Sequence, residues 1–243
     1  MIDLDGRRAL VTGASSGIGL ATALGLARAG SEVHGAARRL ETMERASHGL
    51  FTAHRADVTS PEQMASLVEE ISAAGPLDVA VFSAGTNIPE RRLEQLTPES
   101  WNMLLATNLS SAFNALRAVL PAMRRPGGLA LFVSSVSAAW PDASGPAYQA
   151  AKAGVMAMVR AVAAEELDSG VRFSTILPGA VDTPLMDRRP QPPDAGLRRR
   201  MLRAEDVAAI CVFLAGLPDR VHVPELTVLP AGLQALGRTS WAR

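Results

Sequence analysis

Short apolar runs alternate along the chain with longer segments in which apolar residues recur every three or four positions. The first run, Ala9-Leu10-Val11-Thr12, breaks into Gly13-Ala14-Ser15-Ser16-Gly17-Ile18-Gly19. Apolar residues at helical spacing then continue through 20–29 and stop at Gly30. That order predicts a strand, a glycine turn and a helix. The same alternation predicts strands at 32–36, 54–57, 79–83, 129–134, 172–177 and 226–229, and helices at 61–73, 98–123, 147–167 and 204–215. Strands separated by helices pair in parallel through right-handed crossovers and must be covered on both faces. The expected fold is therefore α/β: a doubly wound parallel sheet in a three-layer α/β/α sandwich. No linker interrupts the pattern, so residues 1–243 are expected to form one domain. The one low-complexity stretch, 188–200, is rich in Pro and Arg and reads as an exposed, mobile loop within a substrate lid at about 184–203.

Composition narrows the partners. A chain of 243 residues with 48% hydrophobic and 20% charged content can bury a sizeable core. Its 24 basic and 24 acidic residues cancel, so no net field draws nucleic acid or an anionic membrane, and a small molecule is the expected partner. Cys211 is the only cysteine, which excludes an internal disulfide, a multi-cysteine zinc site and an iron–sulfur cluster; no metal is expected. The first residues include acids and no signal-length apolar run, and no later stretch reaches the ~18 apolar residues of a membrane span, so a cytoplasmic location is expected.

Two features carry candidate chemistry. Glycines at 13, 17 and 19 permit a tight turn and close backbone approach, and the helix that follows offers unpaired N–H groups and a positive dipole end to a pyrophosphate. Glycine clusters often only close a turn, but this one opens a helix directly after the first strand, where a dinucleotide fits. All but one of the basic residues are arginine; the sole lysine, Lys152, follows the sole tyrosine, Tyr148, by four positions. Residues four apart share a helix face, so the ammonium can lie beside the phenol, stabilise its anion and bring its pKa toward the working pH. An isolated pair at this spacing would ordinarily be a solvated surface contact, and Ser134, Ser135 and Ser137 would be ordinary loop serines.

Together, the pattern T-G-x-x-x-G-I-G at 12–19, Ser135 thirteen residues before Y-x-x-x-K at 148–152, Asn108 inside a long helix and P-G-x-V-x-T at 178–183 resemble the short-chain dehydrogenase/reductase family across nearly the whole chain. The resemblance implies a Rossmann-like sheet of about seven strands, a nicotinamide cofactor and a homodimer or homotetramer built through the long helices. Position by position, it implies Tyr148 as proton donor, Lys152 as its lysine, Ser135 as the serine that orients the substrate oxygen, and Asn108 as a relay that holds a water behind Lys152. It implies cofactor contacts from Gly13, Ser15, Ser16, Gly17, Ile18 and Gly19 in the turn, Asp57 and Val58 at the adenine, and Ala84 and Gly85 over its ribose. Asn108, Tyr148 and Lys152 also belong to that set, with Pro178, Gly179, Val181 and Thr183 at the nicotinamide. Ser83 departs from the family, which usually has an asparagine there.

NAD-preferring members place an acid at the end of the second strand; here Ala37 is followed by Arg38 and Arg39, which favour a 2′-phosphate and hence NADP(H), with Arg38 expected as the main contact. Ser16 stands where many NADP-dependent members carry a basic residue. The segment 223–232 looks closer to branches acting on hydroxy acids than to the common Asp-Gly-Gly ending. The expected activity is NADP(H)-dependent interconversion of a ketone and a secondary alcohol. The open alternatives are epimerisation or dehydration on the same fold, and a cofactor-sensing binding protein without turnover. Arg188, Arg189, Arg198, Arg199, Arg200 and Arg203 could grip an anionic substrate or carrier, although such clusters are more often a solvated face. Trp140, Leu185 and Met186 are candidate pocket walls.

Overall fold

The computed structural model describes residues 2–124 and 127–239. Its strands, in chain order, are β1 (Arg8–Thr12), β2 (Glu32–Ala37), β3 (Thr52–Arg55), β4 (Val79–Phe82), β5 (Gly128–Val133), β6 (Val171–Pro178), β7 (Val181–Asp182), β8 (Leu202–Arg203), β9 (Glu225–Val228), β10 (Gln234–Ala235) and β11 (Arg238–Thr239). The helices are α1 (Gly17–Arg28), α2 (Leu40–Ser47), α3 (Pro61–Ala73), α4 (Pro98–Leu105), α5 (Ser111–Met123), α6 (Pro146–Glu165), α7 (Ala195–Arg198) and α8 (Ala204–Ala215). Seven strands form one sheet in the order β3-β2-β1-β4-β5-β6-β9, every pairing parallel. The chain winds outward from β1 to β3, then returns to the other side of β1 with β4. The order therefore reverses between β1 and β4, where the carboxyl ends of the strands leave a crevice for a ligand.

Period-two alternation divides the strand residues between two cores. Ala9, Val11, Val79, Val81, Leu129 and Leu131 pack on one face with Ala23 and Leu26 of α1 and Leu214 of α8. Leu10, Ala80, Phe82, Ala130 and Phe132 pack on the other with residues of α3, α5 and α6. Because both faces are covered, the strands read as nearly continuous apolar runs. Phe82 and Phe132 stack at 4.4 Å between centroids. Cys211 lies under α1, where Thr22 Oγ1 donates to its sulfur at 3.6 Å; burial pushes the thiol up to about 12 and keeps it unreactive.

Four local features differ from the sequence expectation. The helix expected over 98–123 contains a π turn, Ala106–Ser110, between α4 and α5. Inside it Asn108 turns inward: its Nδ2 donates to Leu104 O and its Oδ1 accepts from Thr86 N, both at 2.9 Å. Helix α2 was not expected, since only Met43 and Ser47 of its eight residues are buried and the apolar period is too weak to register. Strand β3 begins two residues earlier than the apolar run suggests. The stretch expected to be an exposed, mobile loop at 188–200 instead follows a 3-10 turn, Pro184–Arg188, and holds α7, whose first turn is capped by Asp194 Oδ1 accepting from Leu197 N at 2.7 Å.

The outer strands carry a chain of titratable groups. His34 Nδ1 and His54 Nε2 share a hydrogen bond at 3.0 Å, His34 Nε2 lies 3.2 Å from Glu32 Oε1, and His54 Nδ1 lies 3.7 Å from Glu70 Oε1. Burial lowers both imidazole pKa values from 6.5; the mutual repulsion of the two rings lowers that of His54, Arg8 lowers that of His34, and Glu32 and Glu70 only partly oppose this. The unfolded chain therefore binds more protons at these sites, and stability declines as pH falls from the ordinary histidine value toward the folded ones. We expect the melting temperature to hold steady above about pH 7, to drop between about pH 6.5 and 5, and to drop less in His54→Gln. Identical melts for the two proteins across that interval would refute the assignment.

Candidate active site

The first strand delivers the chain into a turn that only glycine can make. Gly13 has φ +73°, and a Cβ there would sit 2.9 Å from the Ala84 backbone; a Cβ on Gly19 would run into the Gly13 carbonyl. Close packing of the turn on the end of β4 thus places the start of α1 at the strand reversal. The Ser16 side chain does not cap α1. Its hydroxyl instead accepts from Arg39 Nη2 at 3.3 Å, and that of Ser15 from the same nitrogen at 3.2 Å. A cation therefore lies over the glycine turn although no residue within the turn is basic.

A cleft of about 390 Å³ opens at this point, lined by Gly13 and Ser15–Gly19 from the turn, Arg38 and Arg39 after β2, Asp57 and Val58 after β3, and Ala84 and Gly85 after β4. Tyr148, Lys152 and Thr183 complete its far end. Asp57 Oδ1 accepts from the hydroxyl and amide of Thr59 at 2.7 and 2.9 Å, and these bonds, with a smaller contribution from Arg38, hold the carboxyl below its ordinary pKa. Ser83 lacks the family's amide, but Thr12 supplies the cross-strand tie: its Oγ1 donates to Val81 O at 3.3 Å and accepts from Ser83 N at 3.2 Å. The glycine cradle and the uncapped helix start fit the pyrophosphate of a dinucleotide, and Arg38 and Arg39 flank them.

A second, smaller cavity of about 100 Å³ adjoins the first, and the two share Ile18, Ser134, Tyr148, Thr183 and Leu185. Pro178, Gly179 and Val181 line only this second cavity, so of the segment expected at the nicotinamide only Thr183 also reaches the long cleft. Asn108 does not line the cleft either. It stands behind Gly85 and Lys152 in a small recess. Trp140, expected as a pocket wall, packs instead against the cluster of Val136, Met156 and Leu177, whereas Leu185 and Met186 do face the second cavity.

Tyr148 and Lys152 lie on one face of α6, the ammonium 5.8 Å from the ring centroid, with only 9% and 5% of their surfaces exposed. Lys152 Nζ donates to Val133 O at 3.0 Å, and burial brings its pKa down to about 8. The tyrosine pKa runs opposite to the lowering expected from an adjacent ammonium. Burial pushes the phenol up to about 12; a hydrogen bond with Ser135 and the charges of Arg91 and Arg189 only partly offset this. The three serines also separate. Ser134 Oγ donates to the Lys152 carbonyl and Ser137 Oγ to Asp142 Oδ2, leaving Ser135 as the hydroxyl within reach of the phenol.

The arginines sort in the same way. Arg198 bridges Asp182 and Asp187, Arg200 donates to Gly232 O, Arg188 donates to Thr86 Oγ1 at the cleft edge, and Arg189 lines the second cavity. Arg91 and Asp142 line it too, and sequence reasoning missed both. Arg91 belongs to the run Glu90-Arg91-Arg92, which reads as a surface charge cluster, yet it is 7% exposed while Arg92 is exposed.

The family model for short chain dehydrogenases matches residues 7–194. The chain is 32% identical over 239 residues to a D-beta-hydroxybutyrate dehydrogenase of Rhizobium meliloti, covering 86% of this chain and 92% of that one. It is 35% identical over 243 residues to a cis-4-hydroxycyclohexanecarboxylate dehydrogenase of Sinomonas cyclohexanicum, covering 95% and 97%. Among solved structures, an alcohol dehydrogenase from Thermococcus sibiricus complexed with 5-hydroxy-NADP superposes with a TM-score of 0.85 at 31% identity, covering 94% of this chain and 98% of that one. Fold, glycine cradle and likeness together define an oxidoreductase with a nicotinamide-cofactor fold. The chain belongs to the short-chain dehydrogenase/reductase family. Among the described residues, no helix is long and apolar enough to cross a membrane.

Proposed function

We propose that the protein interconverts a ketone and a secondary alcohol using NADP(H), with Tyr148 exchanging the proton at the substrate oxygen. The observation that carries this reading is the position of Tyr148 on the wall common to both cavities, with Ser135 at its phenol. Bound NADPH would supply the hydride and its electron pair to the carbonyl carbon. Ser135 donates to the carbonyl oxygen and fixes its direction. A phenol held protonated at neutral pH gives its proton to that oxygen as negative charge develops. The phenolate left behind is the stronger base, so the ammonium of Lys152 restores its proton. Among the described residues one amide proton of Asn108 has no protein partner, and it serves to hold a water behind Lys152. Arg38 and Arg39 receive the 2′-phosphate, Arg39 from its place over Ser15 and Ser16. The outer wall contributed by Leu185, Met186 and Arg189 acts as the substrate lid.

The direct test follows NADPH oxidation with a panel of ketones, alongside thermal melts with each cofactor. We expect turnover of at least one ketone and a larger melting shift with NADPH than with NADH at equal concentration. A shift equal to or smaller than that with NADH would overturn the cofactor choice, and absence of turnover with every ketone would overturn the reaction.

A further inference from the structure

We infer that the substrate is an oxo or hydroxy carboxylate whose carboxylate is gripped by Arg91 and Arg189 in the second cavity. The inference rests on the ketone-reducing reading above and specifies the substrate for that site.

Among the described residues, the charged side chains lining the cavity are Arg91, Arg189 and Asp142. Arg91 is nearly buried, and its hydrogen bonds run to neutral acceptors: Nε to Ile88 O at 2.7 Å and Nη2 to Arg188 O at 3.0 Å. Among the described residues no carboxylate lies within ion-pair distance of it. A guanidinium taken out of water without a carboxylate partner is costly, and an arriving anion relieves that cost.

Asp142 acts on both arginines through its charge, but its oxygens accept from Ser137 Oγ at 2.6 Å and Ser144 N at 2.8 Å and it makes no ion pair with Arg91. The cavity wall therefore sums to one positive charge, which matches a monoanion better than a phosphate dianion, and the planar guanidinium fork matches a carboxylate. Arg91, Arg189, Ser135 and Tyr148 line this one cavity, and the charges of both arginines act on the phenol. A carboxylate held by them puts a carbonyl a few carbons away beside Tyr148 and Ser135, so one small molecule spans both contacts.

The test measures kcat/KM of the full chain with NADPH for 2-oxobutanoate, 3-oxobutanoate and 4-oxopentanoate, for the methyl ester of each, and for a set of neutral ketones. The inference expects at least one acid to exceed its own ester by about tenfold or more, the range that charge-assisted pairing supplies. Arg189→Gln should shrink that acid-to-ester ratio by about tenfold, mostly through KM, and Arg91→Lys should retain more of it than Arg91→Gln. A purely structural role would lower acid and ester together and leave the ratio intact. Esters or neutral ketones turned over as well as every acid would overturn the carboxylate while leaving ketone reduction standing. Failure of all carbonyls, charged or neutral, would overturn both. The wild-type ratio decides the matter even if Arg91→Gln does not fold.

Discussion

Tyr148→Phe is expected to lower kcat by about 10²–10⁴, the span that a positioned proton donor contributes, while changing NADPH affinity by less than about twofold. The substitution removes one oxygen from a side chain that is 9% exposed, so the ring keeps its packing on α6 and only the phenolic hydrogen bonding at Ser135 disappears. Without that group the alkoxide formed at the carbonyl has only water as a proton source, and the buried ammonium of Lys152 is set back behind the ring. Stopped-flow measurement of a single turnover, paired with calorimetric titration of NADPH, separates chemistry from binding. Retention of more than about a tenth of the wild-type rate would mean that another group delivers the proton.

The second large effect concerns the choice of cofactor. In the double variant Arg38→Ala, Arg39→Ala, the ratio of kcat/KM for NADPH over NADH should fall by about 100-fold, with the NADH value changing by less than about fivefold. Hydrogen bonds to charged groups contribute about 1.5–3 kcal/mol each; both arginines are exposed, so the low end applies, or roughly tenfold per side chain. Arg39→Ala alone should cost at least as much as Arg38→Ala, because Arg39 is the residue anchored on Ser15 and Ser16. An unchanged ratio in the double variant would remove the arginines from phosphate recognition.

The parts of the molecule that were legible in the sequence are those whose physics is local. A parallel strand covered on both faces must be apolar at successive positions, so β1, β4, β5 and β6 announce themselves as runs. The glycine turn and the Tyr148–Lys152 spacing are visible because each is written within a few consecutive residues. What stayed hidden depends on distant chain. Nothing in the sequence singles out Arg91, whose burial involves a hydrogen bond to Arg188 O nearly a hundred positions away. The π turn around Asn108 accompanies a contact with Thr86, more than twenty positions away, and no helical period encodes it. The phenol pKa likewise follows burial by residues brought from several strands, not the nearness of one ammonium. Arg39 shows the converse: its place in the sequence pointed to the cofactor, but its reach back to the turn emerges only from the path of the chain after β2.

Because Tyr148 and Lys152 are the only residues of their kinds and both are buried, the protein carries its own reporters. Ultraviolet difference absorption of ionising tyrosine arises from one ring alone, and an isotope label fed as tyrosine lights a single resonance at the wall between the two cavities. Amine-directed cross-linkers and dyes find no lysine on the surface, so the folded enzyme should resist labelling that would decorate most proteins of its size, and the appearance of a side-chain adduct would itself signal opening around α6.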